Sequence, residues 1–350
     1  MRCKIFCIHI VCLLTICGMF GFSNAFAQEQ NKVEISALWP GSSMYTNAVF
    51  WAKLINESTN NIQATAREGR GPDVDMKTLM KEPGKRSQLI FFGTEDNWWG
   101  AQQGWPGWDQ FLSEYDIKNL RHLCVQGFTI DAMLTSKPEI KTMYDMQGKS
   151  FVPANVSGFN SKSVGLVEPF NIAGVKIKTE ILGVSPMIDS LRDGLIDVIH
   201  GGIALIGPNA FQPSGYLNEL LAVRKIYGVT YDPKMLTAMK DKTGHPGIIV
   251  KLPPKSINEH QEFDVYALGK VMTWMVDVSM PDNVVKEILQ VYYDNIEKFG
   301  ELSVGGKMLT KDTMAALNVS EDRLHPAAVQ FYKEKGVPIA SIFDTGLLQQ

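Results

Sequence analysis

The chain has 350 residues, with 34 Lys and Arg against 37 Asp and Glu, and 45% of its residues are hydrophobic. This mildly acidic, dispersed balance excludes nucleic acid as a partner, because phosphates call for clustered cations. The length strains a single core, so two lobes of ordinary size are expected, and no solenoid repeat or low-complexity segment interrupts them.

Arg2 and Lys4 form a basic head, Ile5 to Phe22 an apolar stretch, and Ala25-Phe26-Ala27 a small-x-small site before Gln28. Together they predict a cleaved export signal over residues 1–27. Gly18, Gly21, Ser23 and Asn24 break the apolar run before a full membrane span, and no later run is long enough to cross a bilayer. Cleavage removes Arg2 and Lys4 and leaves 32 basic against 37 acidic residues, a net charge near −5. It also removes Cys3, Cys7, Cys12 and Cys17, so Cys124 has no partner for an internal disulfide. Ile16 before Cys17 argues against a lipid anchor.

Short apolar runs then alternate with helical periodicity, the pattern of strand-helix-strand units. Val33 to Leu38 reads as a strand, Trp39-Pro40-Gly41-Ser42-Ser43 as a turn, and Ala48 to Ile55 as a helix. Strands follow at Ile62 to Ala66 and Gln88 to Phe92, separated by the loop Gly69 to Pro72 and a short helix around Met76 to Met80. Two closely spaced extended runs, Leu120 to Val125 and Thr129 to Leu134, are read as a crossover to the second lobe.

In that lobe Ser150 to Pro153 reads as a strand and Val164 to Phe170 as a helix. A second helix is read from an N-cap at Ser185, with Pro186 at its first position, Met187, Ile188 and Leu191 facing inward, and Gly194 closing it before a strand at Leu195 to Ile199. After Ile248 to Leu252, the apolar stretch Val265 to Met280 carries the chain back, so two crossovers imply a hinge. Pro281 and Asp282 start an amphipathic helix with Val284, Val285, Ile288, Leu289, Tyr292, Ile296 and Phe299 inside and Gly300 as its stop. Leu324-His325-Pro326-Ala327-Ala328 opens a last helix ending at Gly336. The expected boundaries are 28–130 for lobe 1, 131–262 for lobe 2, and 263–350 for the return and C-terminal helices.

Catalytic patterns are nearly absent. The histidines lack zinc spacing, and there is no His-Glu-x-x-His and no Gly-x-Ser-x-Gly elbow. Gly148-Lys149-Ser150 imitates the end of a phosphate loop, but Met143 stands where its first glycine belongs. Asp73 and Asp75 lack the rest of a calcium loop. No metal, no cofactor and no catalytic residue is therefore expected. What recurs instead is a turn of Gly, Ser and Asn between a strand and a helix, at Gly41-Ser42-Ser43 and at Ser157-Gly158-Phe159-Asn160. There the unpaired N–H groups and the positive dipole end suit an anion.

These residues carry a resemblance. Gly41-Ser42-Ser43-Met44-Tyr45 is similar to the first-helix turn of the TRAP-associated extracytoplasmic immunogenic (TAXI) solute receptors. Gly148-Lys149-Ser150-Phe151-Val152 with Ser157-Gly158 resembles that family's second-lobe loop. Leu191 to Val198 followed by Gly207-Pro208, and Leu324 to Ala328 with Tyr332 to Gly336, resemble its Leu-x-x-Gly-x-Ile-Asp-Ala unit and its tail. The family's doubled glycine and tyrosine in the first loop are here Ser43, Met44 and Tyr45, and Pro72 stands where a serine is expected.

The resemblance implies an α/β fold of the two-lobed periplasmic binding protein class, type II-like, each lobe a mixed sheet flanked by helices. It also implies a monomeric periplasmic receptor that closes on a small carboxylate or amino acid and delivers it to a TRAP-type membrane permease subunit. The ligand is expected against Trp39, Gly41, Ser42, Ser43 and Tyr45 of the first turn and Arg70 as a carboxylate partner. In the third loop Asp96 and Trp98 are expected there, in the second lobe Ser157, Gly158, Phe159 and Asn160, and after its central strand His200 and Gly201. Four of the seven tryptophans fall between Trp98 and Trp108, and one or two of them could line the cleft or pin a long loop. Two rivals stand beside this reading: a sensor or scavenger for an aromatic or precursor-like solute, and a periplasmic enzyme.

Overall fold

The computed structural model describes residues 30–103, 117–155 and 160–348. The export signal, Trp105, Trp108 and the Ser157 to Phe159 turn lie outside them. The first lobe starts with β1 (Asn31–Ala37), α1 (Ser43–Ser58), β2 (Ile62–Glu68), α2 (Pro72–Lys81), β3 (Leu89–Thr94) and α3 (Glu95–Gln103). β1 pairs in parallel with β2 on one side and β3 on the other. Ser42 starts α1 by accepting the Tyr45 amide on its side-chain oxygen at 3.1 Å, satisfying one of the helix's orphan donors. Pro72 starts α2 behind Gly71, whose φ of +118° is open only to glycine.

β4 (Leu120–Thr135) leads into the second lobe, made of β5 (Ser150–Asn155), α4 (Asn160–Ala173), β6 (Lys178–Leu182), α5 (Val184–Arg192), β7 (Val198–Gly207), β8 (Ala210–Pro213), α6 (Asn218–Val223), β9 (Tyr227–Val229), α7 (Pro233–Thr243) and β10 (Ile248–Leu252). β11 (Val265–Asp277) returns, followed by α8 (Asp282–Asn295), α9 (Phe299–Leu302) and α10 (Pro326–Lys335). The main path of the sheet is β2-β1-β3-β11-β4-β7-β5-β6.

β4 and β11 run antiparallel along their lengths and are shared by both lobes. β11 pairs with β10 through Val265–Gly269 and with β3 through Met272–Met275, while the far half of β4 pairs with β7 and β9. Register shifts at Met272/Thr273 and Trp274/Met275 bend the pair where one lobe gives way to the other. The two runs read around Leu120 to Leu134 are therefore one strand. Gly127 lies in its middle because the Gly305 carbonyl comes so close that a Cβ there would stand 2.8 Å from it.

The main core, with Trp51, Trp274 and Tyr292 fully buried, covers the sheet of both lobes. A second cluster around Phe151, Phe170 and Tyr231 fills the far side of the second lobe, and a third around Met76, Phe91 and Met275 sits under α2 and α3. The inward residues read after Pro281, from Val284 to Tyr292 on α8 and on to Ile296 and Phe299 beyond it, are all buried. Most elements differ from the sequence reading by a few residues at their ends: α1 starts at Ser43 rather than Ala48, and three further boundaries show why. The N-cap of α5 is Gly183 rather than Ser185, and Pro186 fits at the third position because first-turn amides have no helical partner to lose. β7 starts at Val198 rather than Leu195, since Leu195 is 75% exposed on a turn whose amide bonds back to Ser190. Gly300 lies inside α9, and α8 already ends at Asn295. Among the described residues no helix is long and apolar enough to cross a membrane.

Candidate functional site

Strand alternation builds the site. On one face of the central sheet, His200, Gly202 and Ala204 of β7 stand opposite Met133, Asp131 and Thr129 of β4, and Lys270 of β11 stands opposite Thr129. Thr94 of β3 stands opposite Met272 on the same face. A cavity of about 90 Å³ opens over this face, lined by Thr94 and Trp39 from the first lobe, Thr129, Asp131, Lys270 and Met272 from the shared strands, and Met187, His200, Gly202, Ser214 and Tyr216 from the second.

Its polar wall includes Asp131 and Lys270, two members of a buried ion triad. Lys270 Nζ lies 2.9 Å from Asp131 Oδ2 and 3.4 Å from Asp96 Oδ2. The hydroxyl of Thr94 bonds Asp96, and its amide donates to Asn97 Oδ1 at 3.0 Å. Burial alone would lower the Lys270 ammonium, but the charges of Asp131 and Asp96 carry it above its ordinary value. Burial alone would raise the Asp96 carboxyl, yet Lys270, His245 and the Thr94 bond hold it below the usual range. Beside it, burial pushes the Glu95 carboxyl up to about 8, where it accepts the Asn318 amide at 2.6 Å. Opposite the triad, the Tyr216 hydroxyl accepts the Gly202 amide at 2.7 Å, and burial raises that phenol.

Two further spaces adjoin this cavity. One of about 230 Å³ is lined by Gly41, Ser42 and Ser43 at the start of α1, by Ser214 and Tyr216, and by Ser303 to Gly305. The other, about 590 Å³, lies between Trp39-Pro40 and the start of α5. Trp39 and Tyr216 line all three.

Among the residues read from sequence, the structure thus gathers Trp39, Gly41, Ser42, Ser43 and His200 around these spaces. Asp96 stands behind the inner wall through Lys270. Tyr45 packs against the main core, and Arg70 is exposed on the loop before α2. Trp98 lies under the Arg323 guanidinium, 3.9 Å from its ring centre, beside the third cluster, while Trp99 meets His245 edge to face at 4.9 Å. Asn160 begins α4. Gly201 faces the other side of the sheet, where a Cβ would run into Leu134, and its neighbour Gly202 faces the cavity. Sequence reasoning passed over Asp131, Thr129, Lys270 and Tyr216. A signal was there for two of them: Asp131 and Lys270 are ionisable residues inside runs otherwise read as buried strand.

Two lobes that share a pair of long strands, with a cavity over the junction, have the α/β architecture of the two-lobed periplasmic binding proteins. The chain belongs to the NMT1-like family, whose pattern matches residues 40–336. A search of curated proteins finds no match to the sequence. Among solved structures it is similar to a protein of R. palustris with adipate, at 13% identity over 91% of this chain and 97% of that one, with a TM-score of 0.50. It is also similar to MatC from Rhodopseudomonas palustris with bound malate, at 10% identity, 87% and 96% coverage and a TM-score of 0.49. The periplasmic binding protein BugD aligns at 11% identity, 91% and 99% coverage and a TM-score of 0.48. At such identities the likeness concerns the fold.

Proposed function

We propose that this chain is an extracytoplasmic solute receptor that closes its lobes on a small carboxylate or amino acid and hands it to a TRAP-type permease, as a receptor of the TAXI kind. The observation that carries the reading is the inner cavity, whose walls come from both lobes and from both shared strands. A solute there touches every part that would have to move, so its binding energy is realised only when the lobes come together. The chemistry is that of binding. Hydroxyls, amides and a fixed ion triad surround the space, and the starts of α1 and α5 border it and its neighbours.

An amino acid suits the charges better than a simple anion. Lys270 is already held by two carboxylates, so the inner wall favours an ammonium near Asp131, while a carboxylate finds the amides and hydroxyls of the helix starts. The TAXI reading and the permease rest on the sequence motifs, and a periplasmic location rests on the export signal. The presence of a permease gene beside this one supports delivery; its absence favours a free-standing sensor.

A thermal-shift screen of amino acids and organic acids tests the reading. A ligand at a hundredfold excess over its dissociation constant adds about 2.7 kcal/mol of stability if it binds only the folded state. No shift with any member, or turnover of one of them, counts against a receptor.

A further inference from the structure

The inner cavity is small for a whole ligand. Its volume of about 90 Å³ falls well below the roughly 300–1,000 Å³ usual for a small-molecule site. The outer chamber of about 590 Å³, itself within that range, shares Trp39, Val184 and Tyr216 with it. The ionisable and hydroxyl groups of the sheet face border the inner space, while the outer one has an apolar stretch of Pro186, Ile188, Leu220 and Val223 with Asp189, Arg192 and Glu219 on its rim. Val223 is 59% exposed there, apolar surface open to a covering group. The cation at the rim is already matched, since Arg192 pairs with Asp189 at 2.9 Å and with Asp193 at 3.2 Å. Glu219 lines the same chamber, so its rim is net negative and disfavours a second anionic group.

We infer that the solute is two-part, with a small polar head in the inner cavity and an apolar chain or ring in the outer chamber, passing between Trp39 and Tyr216. This rests on the receptor reading above and adds the class of solute to it. Half-buried aromatic walls suit such a passage, because a rigid ring covers a chain or stacks on a second ring at little entropic cost.

The test is calorimetric titration with two series of rising chain length: alanine, norvaline, norleucine and 2-aminooctanoate, then acetate, butyrate, hexanoate and octanoate. Affinity is expected to rise about three- to fourfold per added methylene, the value of about 0.8 kcal/mol each for burying that group. In Val223→Glu, which places a carboxylate on an exposed part of the apolar wall, the gain is expected to drop below about twofold per methylene. Binding of the short members with no gain along either series overturns the two-part solute and leaves the receptor reading standing. So does an unchanged slope in Val223→Glu, since the tail then lies elsewhere. No binding by any member overturns the receptor reading, and the two-part solute falls with it.

Discussion

The ammonium of Lys270 lies 2.9 Å from Asp131 Oδ2, on neighbouring strands that the two lobes share. Asp96, at the start of α3, completes the triad from the first lobe. Each of the three side chains is at most 10% exposed, so none is solvated in place of its partner. Lys270→Met is therefore expected to cost about 3 to 5 kcal/mol, because it strands two buried carboxylates. Urea unfolding measures this. A loss below about 1 kcal/mol would mean that the triad is not a desolvated unit.

Adjacent glycines on β7 give a second contrast. A Cβ at Gly202 would stand 3.0 Å from Ser214 Oγ and 3.3 Å from the Tyr216 hydroxyl, inside the cavity. Gly202→Val should fill that space and weaken solute binding at least tenfold. On the opposite face, a Cβ at Gly201 would come within 2.3 Å of Leu134 Cδ1, so Gly201→Ala should lose about 1 to 3 kcal/mol of stability through overpacking. Calorimetry and unfolding on the two variants separate the effects, and equal loss of affinity in both would contradict the assigned faces.

Glu95 predicts a pH dependence. Burial raises its carboxyl from 4.5 to about 8, so between these values the folded chain keeps a proton that the unfolded chain has released. Its contribution is full below the unfolded value and is lost as pH rises through the folded one, at up to about 1.4 kcal/mol per pH unit. Glu95→Gln, which can still accept the Asn318 amide, should fall less than the parent between pH 5 and pH 8. Parallel curves of urea midpoint against pH for the two proteins would refute the assignment.

Far from the cavity, the buried His325 caps α10 by accepting the Ala327 amide on Nδ1 at 3.2 Å. His325→Ala is expected to lower stability by roughly 1 to 2 kcal/mol, with solute affinity unchanged, and His325→Asn, a good cap, should recover at least half of that. Thermal melts with and without solute check both statements. A change in affinity would mean that the C-terminal helix communicates with the site.

Two of the quoted motifs show how sequence signals translate. Ser150 of the Gly-Lys-Ser turn and Asp197 of the Leu-x-x-Gly-x-Ile-Asp unit meet across the second lobe, where the Asp197 carboxylate accepts the Ser150 amide at 2.8 Å and its hydroxyl at 3.0 Å. A turn that imitates a phosphate loop serves here to tie the start of β5 to the end of the turn before β7. The family resemblance singled out both segments, but only their juxtaposition tells what each does.

By itself the amino-acid order determined the alternation of strands and helices, the buried face of α8 and the helix stop at Gly336. These depend on neighbours within a turn or two of chain, so local periodicity and capping chemistry suffice to read them. The tertiary structure alone decided the site. Whether Gly201 or Gly202 faces the cavity depends on the parity of pairing between β4 and β7, and whether Lys270 is a stray charge or the centre of a triad depends on residues 139 and 174 positions away. Strand register and long-range ion pairing arise only when distant segments come together, and no local pattern encodes them.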